Sequence, residues 1–319
     1  MVIAGGTGFV GRALADAFRA DGYEVRVIGR DGPDARWIDS EAVQALVDGA
    51  EILVNLAGKS VNCRYSDKNR DEILRSRVDT TAQLRRAVTD AATPPRLWLN
   101  ASTATIYRYA LDRPQTESEG DIGAGFSVDV ARAWEAAFFD GELPHTRRVA
   151  LRMAIVLGDG PATGILERLA RFGLGGPQYD GPWFAHRRYR SIGPDAAGAV
   201  KMHWHRSRGR QKFSWIHLDD VVGTVRFIRD NDDITGAVNL SSPAPSDNRT
   251  LMATLREAVR MPIGLPAWRF MLEPAMWALR TEPELVLKSR WVIPDVLESA
   301  GYRFAHPELA PAIREVVSR

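Results

Sequence analysis

Apolar and polar positions fall along this chain in alternating blocks that predict a repeated order of strand and helix. Met1 to Ala4 is an apolar run that breaks into Gly5-Gly6-Thr7-Gly8-Phe9-Val10-Gly11. It re-emerges with Val10, Ala13, Leu14, Ala17 and Phe18 at helical spacing and stops at Asp21-Gly22. Tyr23 to Ile28 is the expected second strand. Ser40 is expected to cap a short helix carrying Val43, Leu46 and Val47 and ending at Asp48-Gly49. Ile52 to Ala57 is continuous rather than alternating, the mark of a parallel strand covered by helices on both faces. Asp67 to Ala91 reads as a long charged helix with Ile73, Leu74, Val78, Thr81 and Leu84 inward, stopped by Pro94-Pro95. Leu97 to Ala101 is the next strand, Val128 to Phe139 a helix, and Val149 to Leu157 another strand.

From Gly158 the texture changes. A helix from Ile165 to Phe172, a glycine-rich turn and a long basic stretch precede a return to strand and helix over Phe213 to Arg229, and Val238 to Leu240 suits a last strand. Prolines then separate short helical runs. The order predicts an α/β protein, a doubly wound parallel sheet with a smaller, mainly helical C-terminal lobe. The expected division is a sheet part over 1–157, completed by 213–241, and a lobe over 158–212 and 242–319 that includes a basic insertion at about 179–210.

The glycines carry the first chemical expectation. Gly5 suits a turn needing positive φ, Gly8 lets the backbone approach a pyrophosphate, and Gly11 lets the helix pack close to the strand. Phosphates would then meet the unpaired N–H groups and positive dipole end of that helix. Thr7, Phe9 and Val10 belong to the same cradle.

Composition excludes more than it selects. The chain of 319 residues holds 42 basic and 40 acidic side chains, a net charge of +2, so nucleic acid is not indicated by the total. Cys63 is the single cysteine, which rules out an intrachain disulfide framework and fits a reducing, cytoplasmic setting. No apolar stretch approaches membrane-spanning length, and a first strand at Met1 leaves no room for a signal peptide in this reading.

Taken with Asn55-Leu56-Ala57-Gly58, Ser76-Arg77, Trp134-Glu135, Gly173-Leu174-Gly175-Gly176-Pro177, Ser214 to Asp220 and Asn239-Leu240, the cradle resembles the extended short-chain dehydrogenase/reductases. More narrowly the chain is similar to their atypical epimerase branch, labelled NAD-dependent epimerase/dehydratase. Arg290-Trp291-Val292-Ile293-Pro294 and Ala300-Gly301-Tyr302 resemble the module of unknown function that ends those proteins. The resemblance implies that the sheet part is a Rossmann-type dinucleotide-binding domain and the lobe a substrate lobe, with a cofactor cleft at the carboxyl ends of the strands, lined by Asn55, Leu56, Ala57 and Gly58, and a homodimer through the two long helices.

In relatives that take NAD, an acid at the end of the second strand binds the ribose hydroxyl; here Gly29 stands there and Arg30 follows, a good partner for the phosphate of NADP. Arg12 is placed to help. Asp31 keeps NAD open as the alternative. The family's acid–base pair, Tyr-x-x-x-Lys, is missing: Val128 and Arg132 occupy those positions. Thr103 matches the upstream hydroxyl, Tyr107 is the candidate proton donor, and Arg132 can anchor the ribose or a carboxylate but cannot act as a base. His217 and Asp219 lie in a strand-to-helix turn, with Asp219 the expected cap, and no metal is expected. The basic insertion, with Trp183, His186, Arg187, Arg188, His203 and His205 among its residues, suits a lid over the site. Two functions fit: NADP(H)-dependent hydride transfer on a small carbonyl or hydroxyl compound, or a non-catalytic dinucleotide-binding sensor or scaffold.

Overall fold

The computed structural model describes residues 1–184, 191–192, 204–279 and 282–318. Most of the basic insertion, including His186, Arg187, Arg188 and His203, lies outside the described residues, and so does the expectation of a lid.

The strands are β1 (Val2–Ala4), β2 (Arg26–Gly29), β3 (Ala35–Arg36), β4 (Ile52–Asn55), β5 (Leu97–Thr103), β6 (Arg147–Met153), β7 (Ile155–Leu157), β8 (Gln178–Tyr179), β9 (Lys212–Phe213), β10 (Trp215–His217), β11 (Gly236–Leu240), β12 (Ser246–Asp247) and β13 (Ala267–Trp268). The helices are α1 (Phe9–Ala20), α2 (Ser40–Val47), α3 (Asp67–Asp90), α4 (Phe126–Phe139), α5 (Pro161–Arg171), α6 (Leu218–Asp230), α7 (Asn248–Ala258), α8 (Arg269–Ala278), α9 (Glu284–Leu287), α10 (Asp295–Ser299) and α11 (Leu309–Ser318). Seven strands form one sheet in the order β11-β6-β5-β4-β1-β2-β3, parallel at every pairing. The chain runs outward from β1 to β2 and β3, then returns to β1's other side through β4. That reversal opens a crevice at the carboxyl ends of β1 and β4, where doubly wound sheets bind ligands.

Helices on both faces explain the continuous apolar run of β4. Ile52 and Val54 join the core shared with Leu14 and Phe18 of α1 and Val221, Val225 and Ile228 of α6. Leu53 points the other way, into the core of Val43, Val47, Leu84, Val88, Trp98 and Phe138. Each such fully buried side chain contributes roughly 1.5–3 kcal/mol of transfer free energy.

Three local expectations change. The strand expected over Val149 to Leu157 is broken at Ala154, whose N–H donates to Leu240 in the main sheet, while Ile155 N–H donates to Ser214. The chain therefore leaves the large sheet, and β7 pairs in parallel with β10 alone. Asp39 rather than Ser40 caps α2, accepting the Ala42 N–H at 2.9 Å. The buried face of α1 is Gly11, Leu14, Ala15 and Phe18, displaced from the expected stripe because Gly11 itself turns inward against Gly5 and Gly6 of the turn after β1. Beyond β11, helices α5, α7 and α11 share a further core with Leu157 and Trp215. No described helix is long and apolar enough to cross a membrane.

Candidate functional site

The cradle is built by close backbone approach. Gly5 has φ +79°, and a Cβ there would lie 2.9 Å from the carbonyl carbon of Leu56, so the turns after β1 and β4 touch across the crevice. A Cβ on Gly11 would meet the Gly5 carbonyl oxygen at 2.5 Å and Gly6 Cα at 2.7 Å. Gly8 is the N-cap of α1. No side chain caps that helix and no acid lies in its first turn, which leaves its N–H groups and dipole facing the crevice. Arg12 folds back to the Thr7 carbonyl at 2.8 Å. The donor-rich, acid-free end of α1 fits a pyrophosphate. Phe9, the first residue of α1, lies against Gly158 and Gly160, where a Cβ would meet its ring at 2.9 Å and 2.8 Å.

The loop after β4 is held from below. Asn55 is wholly buried: its amide donates to Thr81 at 3.0 Å and to Asn100 at 2.7 Å, and its oxygen accepts the Ala57 N–H at 3.1 Å. Its side chain shapes the path of Leu56, Ala57 and Gly58 instead of presenting itself to the crevice. Ser76 accepts the Lys59 N–H at 2.8 Å and Arg77 donates to the Lys59 carbonyl at 3.1 Å. Burial pushes Arg77 down to about 10, and its guanidinium stacks 5.0 Å from the Trp134 ring.

At the end of β2, Arg30 and Asp31 are both exposed. The acid that closes this turn is Asp34, which accepts the Val27 N–H at 2.8 Å and pairs with Arg26. Arg36 faces Gly29 in the β2–β3 register, a basic neighbour that the sequence reading did not single out.

Thr103 ends β5 half-buried, its hydroxyl accepting the Thr105 N–H at 3.1 Å. Tyr107 does not project from its loop. It is 2% exposed; its hydroxyl donates to Asn239 at 2.9 Å and accepts from Arg152 at 2.8 Å. Arg152 in turn grips Glu135 with two nitrogens at 2.9 Å and 2.8 Å, and Glu135 accepts from Ser102 at 2.5 Å. Burial pushes the Tyr107 phenol above its ordinary value, the opposite of what a proton relay requires. Val128 is fully buried, while Arg132 stands exposed one turn later on α4. Burial also pushes the Cys63 thiol up, which disfavours the thiolate.

The C-terminal segment brings side chains the motifs did not point to. Lys288 donates to the Thr105 carbonyl at 3.2 Å, and Arg290 to the Thr105 hydroxyl at 3.1 Å. Glu284 of α9 approaches Ser127 at 3.4 Å and Lys288 at 3.7 Å. Burial brings Lys288 down to about 8. Two cations, the buried Arg290 and the half-buried Lys288, therefore meet the segment that follows Thr103. His205 stacks on Tyr109 at 3.6 Å and its N–H reaches Asp180 at 2.6 Å. His217, not Asp219, caps α6, its Nδ1 accepting the Asp219 N–H at 3.2 Å.

Comparison with known proteins agrees with this layout. Residues 1–123 match the NAD dependent epimerase/dehydratase family, and residues 269–316 match a domain of unknown function, DUF1731. The bovine epimerase family protein SDR39U1 is 31% identical over 327 residues, spanning 100% of this chain and 99% of the bovine one. YfhF, an epimerase family protein of Bacillus subtilis, is 26% identical over 327 residues, covering 100% and 98%. The crystal structure of human SDR39U1 with NADPH superposes with a TM-score of 0.81 at 27% identity, covering 99% of this chain and 98% of that one. A nucleoside-diphosphate sugar epimerase from Corynebacterium glutamicum gives 0.72 at 25% identity, covering 99% of this chain and 57% of its own. This chain belongs to the NAD dependent epimerase/dehydratase family, an extended short-chain dehydrogenase/reductase with a C-terminal DUF1731 domain.

Proposed function

We propose that this protein is an NADP(H)-dependent oxidoreductase or epimerase acting on a small carbonyl or hydroxyl compound. The observation that carries this reading is the uncapped, acid-free N-terminus of α1 behind Gly5, Gly8 and Gly11, together with Gly29 where an NAD enzyme has its ribose-binding acid and Arg30 just after it. The human relative solved with NADPH supports the choice of dinucleotide. Thr7, Phe9, Val10 and the Leu56–Gly58 turn would hold the cofactor, and Arg30, with Arg12 from α1 and Arg36 opposite Gly29, would hold the ribose phosphate. The bound nicotinamide supplies hydride chemistry.

The chain's own residues then orient substrate and move a proton. Thr103 is the hydroxyl proposed to bind the reacting oxygen, and Arg132 to anchor the ribose or a carboxylate. Tyr107 is better assigned to positioning, because its hydroxyl is spent on Asn239 and Arg152. Lys288, against Thr105 and holding its proton with a value of about 8, is the group we assign to proton exchange near neutrality. Lys288 and Arg290 together suit a substrate bearing an anionic group. One feature favours the rival reading, a cofactor-binding sensor: buried Val128 stands in place of the family tyrosine.

Transfer of deuterium from stereospecifically labelled NADPH into a pool of small carbonyl compounds separates the two readings. Label appearing in a product, and abolished in Lys288→Met with NADPH binding intact, supports the enzyme. Binding of NADPH without transfer to any member of the pool supports the sensor.

A further inference from the structure

Away from the cradle, four ligand-type side chains converge where the C-terminal segment meets the start of α6. They are His217 at the end of β10, Asp219 in the first turn of α6, His306 in the approach to α11, and Glu315 on α11. Each offers one ligand atom, and the four atoms all lie within 4.8 Å of one another. His217 Nδ1 and His306 Nε2 each lie 3.4 Å from Asp219 Oδ2, and Glu315 Oε2 lies 3.4 Å from the other His306 nitrogen, Nδ1, so Glu315 has to swing towards Nε2 to share an ion with it. Tetrahedral zinc bonds of about 2.0–2.2 Å place neighbouring ligand atoms roughly 3.3–3.6 Å apart, so the set needs to close by only on the order of 1 Å.

One contact points to a positive centre. His217 Nδ1 and Asp219 Oδ2, two acceptors, face each other at 3.4 Å, and an ion at Nδ1 would take over the lone pair that accepts the Asp219 N–H. His217 is wholly buried, its ring 3.8 Å from that of His306, and its Nε2 has no hydrogen-bond partner. The surroundings are also built to hold His306 in place. Asp220, itself buried, accepts the backbone N–H groups of Ala305 at 2.7 Å and His306 at 2.9 Å. Leu309, Ala312, Ile313 and Val316 seat α11 against the core, which fixes where Glu315 stands.

We propose that His217, Asp219, His306 and Glu315 bind one divalent transition-metal ion of the zinc class, fastening α11 to the N-terminus of α6. Two imidazoles and two carboxylates suit zinc or cobalt over magnesium or calcium, which prefer oxygen alone. Two carboxylate charges balance the ion, so the partly buried site is left neutral. Asp219 and Glu315 keep one side open to solvent, the route by which an ion enters. The ion would be structural: it joins residues far apart in the chain and favours the docked C-terminal segment over its released form. The rival occupant is a proton, with His306 as an imidazolium between the two carboxylates.

The full chain, stripped with a chelator, is titrated with zinc by calorimetry and with cobalt by visible absorption. Expected are one ion per chain, the visible bands of tetrahedral cobalt, and a zinc-dependent rise in melting temperature. His306→Asn and Glu315→Gln, both at partly exposed side chains, should each lower the affinity by more than the roughly 10–100-fold that outer-sphere partners are worth. Both should keep the far-UV circular dichroism and the NADPH affinity of the parent. Binding below one ion per chain, octahedral cobalt spectra, or equal affinity in the parent and both variants would overturn the proposal and leave the proton as occupant.

Discussion

Replacing Tyr107 by phenylalanine removes one oxygen and keeps the ring, so it separates a positioning role from a catalytic one. The hydroxyl makes two bonds, one given to Asn239 at 2.9 Å and one received from Arg152 at 2.8 Å. A buried neutral bond is worth about 1 kcal/mol net and a bond to a charged group about 1.5–3 kcal/mol. Arg152 keeps both bonds to Glu135, so its charge stays compensated and the larger penalty of a stranded ion does not arise. The loss should therefore total about 2–4 kcal/mol, a large part of the roughly 5–15 kcal/mol that holds a typical domain. Urea unfolding followed by far-UV circular dichroism reads it directly: the midpoint falls while the slope stays constant. NADPH affinity should not change. A loss under about 0.5 kcal/mol, within the range of an inert surface substitution, combined with collapse of hydride transfer, would refute the reasoning and return Tyr107 to the reacting centre.

Three further outcomes follow from the same structure. Gly11→Ala drives a Cβ into the Gly5 carbonyl and Gly6 Cα, and should cost about 1–3 kcal/mol and weaken NADPH binding, as read by unfolding and titration. Glu135→Gln leaves the Arg152 guanidinium buried without its counter-charge, so it should cost about 3–5 kcal/mol, more than Tyr107→Phe; an equal or smaller loss in urea unfolding would contradict the pairing. Lys288 gives a pH signature. Its folded value of about 8 lies below the ordinary 10.5, so between those limits the unfolded chain holds a proton that the folded chain lacks. Stability from this group therefore rises with pH across that window, by up to about 1.4 kcal/mol per unit, and is flat below it. The difference in unfolding free energy between the parent and Lys288→Met should show that slope, and a difference independent of pH would contradict it.

The cradle was legible because its signal is local: three glycines, an apolar strand before them and a helical stripe after. The long helix was legible for the same reason, and the structure places it at Asp67–Asp90, with Ser66 accepting the Asn69 N–H as its cap. What stayed hidden depends on distant pairs. Tyr107 meets Asn239 across 132 positions and Lys288 meets Thr105 across 183, and no spacing rule announces either. Asn55 matched the family motif, but a motif does not tell a ligand-facing amide from one that ties β4 to Asn100 and Thr81. The break at Ala154 was equally silent, since Met153 to Leu157 stays apolar across the passage from one sheet to the other.

The measurement closest to the central claim is paired titration of the purified chain with NADPH and NADH, read by tryptophan fluorescence, in the parent and in Arg30→Ala. The structure predicts that NADPH binds at least about tenfold tighter than NADH, a difference of roughly 1.4 kcal/mol, and that Arg30→Ala erases the preference by weakening NADPH alone. Tighter binding of NADH, or binding of neither, would contradict it.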